Sequence, residues 1–279
     1  MKAIKSIPFV KQNYIFFVFS LMLFVILFNP VFAQLCHLWF YDLNNSHGIL
    51  APFISLYFIW IKKDEIKHTP LQISHLGLGV MIFGLLLYLL GLIGFMAFLQ
   101  NLSLVITFIG LTWYHMGTRF TRKISFPLFI LFFMVPIPIS ITEMFSFPLK
   151  LLATRMSEFV LGLLSIPVLR EGNLLHLPNG TLEVAKACSG LRSFISFTML
   201  GLIFAYLLKN KIRKLIIILT ILPITIFTNI LRITLTGSLA YFVTPKMTES
   251  FLHEFLGIFS FVCGFSLMFL CYYKISLEK

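Results

Sequence analysis

Charge is what this chain has least of. Only 11% of its 279 residues are Asp, Glu, Lys or Arg, against 59% hydrophobic residues and 33 phenylalanines. A soluble domain of that length cannot hide so much apolar surface, so the composition reads as an integral membrane protein. Acids are scarcer still, with ten Asp and Glu against 22 Lys and Arg and a net charge of +12. Such an excess suits nucleic acid, but the basic residues sit in short clusters between apolar runs, as topology signals do. No nucleic-acid partner is expected. Cysteine is also rare: Cys36, Cys188, Cys263 and Cys271 form no CxxC pair and no regular framework, so disulfides are not implied. Cys263 and Cys271 lie inside an apolar run and read as small hydrophobes. His37, His47, His176 and His253 lack ligand spacing, and neither a metal nor a cofactor is expected.

What the chain has in abundance is apolar runs. Lys2, Lys5 and Lys11, with no acid among them, assign the N-terminus to the cytoplasm. The first run, 14–33, ends in Val31-Phe32-Ala33 like a signal peptide, but its length and the runs that follow favour a retained membrane helix. Residues 34–47 lack Lys and Arg and read as an outer loop. Helices follow at about 48–61, 76–98, 102–116 and 124–141, the third and fourth joined by a tight turn at Gln100-Asn101. Gly77, Gly79, Gly84, Gly91 and Gly94 permit close helix approach. Pro136 and Pro138 end the run at 124–141.

Residues 145–168 are amphipathic. Lys150, Thr154 and Glu158 recur every four positions, while Leu149, Leu152, Met156, Phe159 and Leu163 line another face. That pattern suits a helix lying in the interface better than a full span. Alternation on both sides of Pro178-Asn179-Gly180 then predicts a small outer hairpin over 173–185. Helices at about 189–208, 215–240 and 255–273 complete the chain. The fold class expected is a single all-α polytopic membrane domain over 1–279, with about eight spans and both termini inside. Fifteen of the 22 basic residues then face the cytoplasm.

The informative stretch is Ala187-Cys188-Ser189-Gly190-Leu191-Arg192-Ser193, where a polar loop becomes an apolar run. A thiol at the first turn of a helix meets unpaired N–H groups and the positive end of the macrodipole, both of which favour the thiolate. Cys188 stands 20 residues from the inner end of its helix, Arg232 stands 17 from its own, and His253 stands 20. At about 1.5 Å per residue, all three lie roughly 25–30 Å up a ~30 Å hydrocarbon core, at the outer interface. The trio fits a cysteine transpeptidase or protease. Cys188 attacks a peptide carbonyl, His253 handles the proton, and Arg232 stabilises the oxyanion or holds the substrate carboxamide. Plainer readings stand beside these. His253 also suits an interfacial polar position, and Arg232 a snorkelling anchor, although Asn229 one turn earlier suggests an organised polar patch. Glu183 either orients Arg232 or His253 or is a surface residue of the hairpin.

These residues resemble the exosortase/archaeosortase family of membrane transpeptidases. The resemblance rests on Ala187 to Ser193, on Asn229-Ile230-Leu231-Arg232-Ile233, and on His253 with Gly257. Ser46-His47-Gly48, Val135-Pro136-Ile137-Pro138 and Gly172-Asn173 leading into Leu177-Pro178-Asn179-Gly180 support it. It implies catalytic roles for Cys188, Arg232 and His253, with Glu183, Ser189, Gly190, Arg192 and Asn229 supporting the site or binding substrate. One departure is Lys186, where the family usually carries an acid. The resemblance further implies a multi-pass inner-membrane protein with its site facing the exterior. Its partners would be secreted proteins whose C-terminal sorting signal combines a short motif (Pro-Glu-Pro in the best-known class), a membrane helix and a basic tail. An unidentified acyl acceptor would complete the reaction, and in bacteria the system accompanies exopolysaccharide export. Two other classes compete: a polytopic transporter with Arg232 and His253 at its outer mouth, and a non-catalytic scaffold of a polysaccharide-export complex. A transporter predicts mid-depth polar residues and inverted repeats. Pro223 and Thr225 are weak candidates for the first, and no repeat is evident.

Overall fold

The computed structural model describes residues 6–42, 45–184, 190–243 and 251–277, with side chains from residue 15 onward and, in the last segment, from residue 255 onward. The described residues are mostly helical with one small sheet, and the chain divides into two compact units, 1–137 and 138–279. Among the described residues four helices are long and apolar enough to cross a membrane, and up to six spans result if each of two bent helix pairs counts as one.

In the first unit the opening run is not one helix over 14–33. Helix α1, Ser6–Leu27, stops at Phe28, and α2, Asn29–Tyr41, leaves the described part of α1 at 62°. Pro30 is the cause. It has no N–H to offer the Ile26 carbonyl and its ring crowds that oxygen, whereas its fixed φ suits the first turn of α2. Phe28 is fully buried against the Tyr88 ring at 4.7 Å, and the Tyr88 hydroxyl donates to the Leu27 carbonyl at 3.3 Å. The expected outer loop at 34–47 is therefore helical as far as Tyr41, because burial of Val31 and Leu35 carries the helix through scattered polar residues.

A 3₁₀ turn at Ser46–Ile49 and α3, Leu50–Ile61, occupy the run expected at 48–61. Helix α4, Lys63–Lys67, then leads to the antiparallel pair α5, His75–Ile93, and α6, Ala97–Met116. Their turn lies at Gly94–Met96, not at Gln100-Asn101, and Phe95 adopts φ +51° there. Both residues that suggested a loop lie inside α6. Gln100 Nε2 donates to the Gly91 carbonyl at 2.9 Å, and Asn101 is buried. Gly77, Gly84 and Gly91, seven residues apart, form the seam: a Cβ on Gly84 would stand 2.7 Å from the Thr107 nitrogen and one on Gly91 2.9 Å from that of Gln100. Gly79 meets open space and takes no part.

After α7, Thr118–Lys123, the helix expected over 124–141 is shorter: α8, Ser125–Ile130, with a 3₁₀ turn at Leu131–Met134. It ends at Met134 because Pro136 forces Val135 into extended backbone.

The second unit begins with α9, Ile139–Leu163, which starts earlier and ends sooner than the amphipathic stretch 145–168. Its orientation is the informative part. Ala153, Thr154, Ser157 and Leu161 are buried, while Leu152, Met156, Phe159 and Leu163 are exposed. The small polar face thus packs on protein and the large apolar face is left for lipid. Strands β1, Leu169–Glu171, β2, Leu174–Leu177, and β3, Gly180–Glu183, form an antiparallel sheet in that order. The hairpin at 173–185 gains β1 as a third strand, fastened to α9 by the Arg170–Glu158 ion pair at 3.0 Å. Leu175, Leu177 and Val184 face a core shared with Ala153 and Leu161 of α9 and with Ile233 and Ala240.

Three helices follow: α10, Leu191–Leu207; α11, Lys211–Phe242; and α12, Phe251–Leu277. Phe197, Phe204, Ile217, Ile221, Ile224 and Met268 knit them together. Phe255, Ile258, Val262 and Leu270 stay exposed on α12, as a lipid-facing side requires.

Candidate active site

The long helix α11 carries the polar residues that organise this unit. Thr225 and Thr228 return their hydroxyls to the Ile221 and Ile224 carbonyls at 2.7 and 2.9 Å, satisfying themselves within a buried helix. Asn229 and Arg232, one turn further on, instead reach neighbouring helices.

Gly190 caps α10 in the left-handed conformation, φ +78°, and its carbonyl accepts the first helical bond from Phe194 N–H at 2.8 Å. The Asn229 amide lies against it: a Cβ on Gly190 would stand 3.1 Å from Nδ2 and 3.2 Å from Cγ. Asn229 is itself buried. Three residues on, the Arg232 guanidinium lies against Gly257 of α12, where a Cβ would stand 3.2 Å from Nη2 and 3.3 Å from Cζ. Arg232 is partly buried, and its carbonyl accepts from Thr236 Oγ1 at 2.8 Å. One turn of α11 therefore touches the start of α10 through Asn229 and the second turn of α12 through Arg232. Both contacts are tight: a Cβ in either place would push the amide or the guanidinium by a few tenths of an ångström, and at Gly190 the positive φ adds strain.

The remaining residues singled out in the sequence fall around this frame. Cys188 and Ser189 lie outside the described residues; α10 begins at Leu191, three positions beyond the cysteine, so the described helix does not include the thiol in its first turn. Gly190 follows Cys188 by two residues, a chain distance of at most about 7 Å. His253 lies in the first turn of α12, inside a helix expected to begin at 255, one turn or about 6 Å of axis before Gly257. Its side chain is outside the described set. Arg192 is exposed in the first turn of α10, and Glu183 is exposed at the end of β3. His176 accompanies Thr181 and Glu171 on the sheet surface, at 2.9 and 3.4 Å. Among the described residues no three His, Cys, Asp or Glu side chains are grouped to hold a metal ion.

Sequence reasoning missed the structural half of the arrangement. Gly190 and Asn229 were recognisable as parts of separate motifs, but nothing local says that they touch. The Glu158–Arg170 pair, which fixes the sheet on α9, spans twelve residues and has no motif at all. Chemically, the frame presents a cation and an amide donor at one level of three helices. That combination suits a developing negative charge on a carbonyl oxygen.

A family model described as transmembrane exosortase matches residues 39–270. No curated protein and no solved structure matches the chain.

Proposed function

The chain belongs to the transmembrane exosortase family, and from that premise we propose that it is a membrane cysteine transpeptidase or protease acting on the C-terminal sorting signals of exported proteins. The observation that supports this most is the meeting of the Cys188 and His253 flanks, Gly190 and Gly257, on the single α11 turn of Asn229 and Arg232. In this reading the Cys188 sulfur attacks the scissile carbonyl carbon while His253 takes the thiol proton. Arg232 and Asn229 stabilise the oxyanion and orient the carboxamide. The C–N bond breaks, His253 returns its proton to the departing amine, and a thioester remains. Water or an amine-bearing acceptor then attacks the thioester and releases the thiol. In the same reading Ser189, Gly190, Arg192 and Glu183 support the thiol or bind substrate.

The membrane arrangement proposed is eight passes, both termini inside, over a single exosortase-like domain. The four long helices, the two broken pairs and the two shorter apolar helices, Ser46–Ile61 and Leu191–Leu207, make up that number when each is one pass. The site then opens on the outer face of the inner membrane, where a membrane-anchored signal presents its cleavage point.

The test is a gel shift in the native host with a tagged secreted protein that carries a C-terminal signal of this kind. Cells holding Cys188→Ala are expected to accumulate full-length precursor and lose the short form. Unchanged processing of a confirmed substrate would sink the thiol mechanism in favour of a transporter or scaffold.

A further inference from the structure

β3 forms an outer edge of the small sheet and leads in sequence toward the candidate nucleophile. β3 is the last strand of the order β1-β2-β3, so among the described residues one of its sides has no partner strand. The register shows which groups face that side. The two-residue turn Pro178-Asn179 makes Leu177 and Gly180 the bonded pair that closes the hairpin, and bonded pairs then recur at every second position. The Val184 N–H, which donates to the Asn173 carbonyl at 3.0 Å, keeps this alternation. Thr181 and Glu183 fall between the bonded pairs, so each turns its N–H and its C=O away from β2 toward the free edge. Both residues are exposed, and among the described residues no backbone group bonds to them from that side.

The edge is also held still. Leu175, Leu177 and Val184 anchor the inner face of the sheet in the core, and Asn179 Nδ2 ties the hairpin tip to the Tyr241 carbonyl at 2.6 Å. On the outer face, contacts of His176 with Thr181 at 2.9 Å and with Glu171 at 3.4 Å link all three strands. The opposite edge is the more remote one along the chain. Its outward residue, Arg170, folds its side chain onto Glu158 and the Gly172 carbonyl, and it lies 18 residues before Cys188. Glu183 lies five residues before Cys188, at most about 17 Å of extended chain.

We infer that the segment of the exported substrate beside its cleavage point binds as an extended fourth strand, antiparallel to β3, by exchanging backbone hydrogen bonds with Thr181 and Glu183. This rests on the thiol reading of Cys188. Backbone pairing supplies affinity that does not depend on side-chain identity, and it leads the peptide along the strand that runs on to the thiol. Two substrate residues separated by one make the bonds, and the residue between them points its amide elsewhere.

The test uses the full-length enzyme in detergent and a synthetic peptide spanning the cleavage point of a substrate confirmed in cells. Single N-methyl groups are placed at successive amides on the leaving-amine side, where a peptide antiparallel to β3 lies when its scissile carbonyl is at Cys188. The expected result is alternation: each methyl on a paired amide lowers kcat/KM about fivefold to tenfold, and its neighbours have little effect. In the enzyme, Glu183→Pro removes one edge N–H that β2 does not use and is expected to lose about fivefold to tenfold more than Glu183→Ala, which keeps it. An even response across the scan, with Cys188→Ala inactive, overturns the edge and leaves the thiol mechanism standing. Cleavage by Cys188→Ala overturns both, since the strand is proposed to deliver the peptide to that sulfur.

Discussion

Gly190 and Gly257 sit tightly against the two polar side chains of the α11 turn, for different reasons. At Gly190 a Cβ would be strained by φ +78° and would press on Asn229 at 3.1 Å. At Gly257 it would press on the Arg232 guanidinium at 3.2 Å. Gly257→Val is therefore expected to move Arg232 while leaving the helix intact, and misplacement of a charge stabiliser by about 1 Å costs on the order of a hundredfold in rate. Processing of a tagged substrate, measured beside thermal unfolding of the purified variant, separates that outcome from misfolding. Ser165 is the opposite case. It sits just past the end of α9 at φ +60°, where glycine is the unstrained residue. Ser165→Gly is expected to stabilise the protein by about 1 kcal/mol, read as a higher melting temperature.

At the scale of elements, the α5–α6 pair rests on close backbone contact, and its tolerance is sharply local. Gly84→Leu puts a side chain where a Cβ already stands 2.7 Å from backbone nitrogen, while Gly79→Ala enters open space. The first is expected to cost on the order of 1–3 kcal/mol or to force the helices apart. The second is expected to be neutral or slightly stabilising, because alanine is the better helix former. Recovery of monodisperse protein in detergent and its melting temperature would distinguish them. A pair equally tolerant at both positions would mean that the glycine seam does not set the helix separation. Helix α9 teaches a related lesson. A stripe of Lys150, Thr154 and Glu158 reads as a water-facing side, but Thr154 is fully buried and Glu158 turns to Arg170. Beside lipid, the polar side of an amphipathic helix is the one that seeks protein.

For the whole molecule, the proposed eight-pass arrangement puts the hairpin tip and the loop between α10 and α11 on opposite sides of the membrane. In a chain with its four native cysteines replaced, Asn179→Cys should react with a membrane-impermeant maleimide in intact cells. Asn210→Cys should react only after the cells are opened. Labelling of both from outside would overturn the topology, and with it the placement of the catalytic face.

Much of this protein was legible one residue at a time. Low charge and long apolar runs dictate a membrane protein, since hydrocarbon-sized segments have nowhere else to go. The helices around 48–61, 189–208 and 215–240 and the hairpin at Pro178-Asn179 follow from local patterns, because their signals lie within a few residues of the structure they specify. Cys188, Arg232 and His253 stand out in the sequence by chemistry and by distance along each helix, and their catalytic roles remain the proposal made above. Tertiary structure decided what depends on distant partners: Gln100 and Asn101 became helix because Gly91 and the interior accept them, and β1 joined the sheet because Glu158 holds Arg170. It also brought Gly190 and Gly257 onto one turn of α11, since contact between helices depends on which faces pack together, and no stretch of sequence carries that information alone.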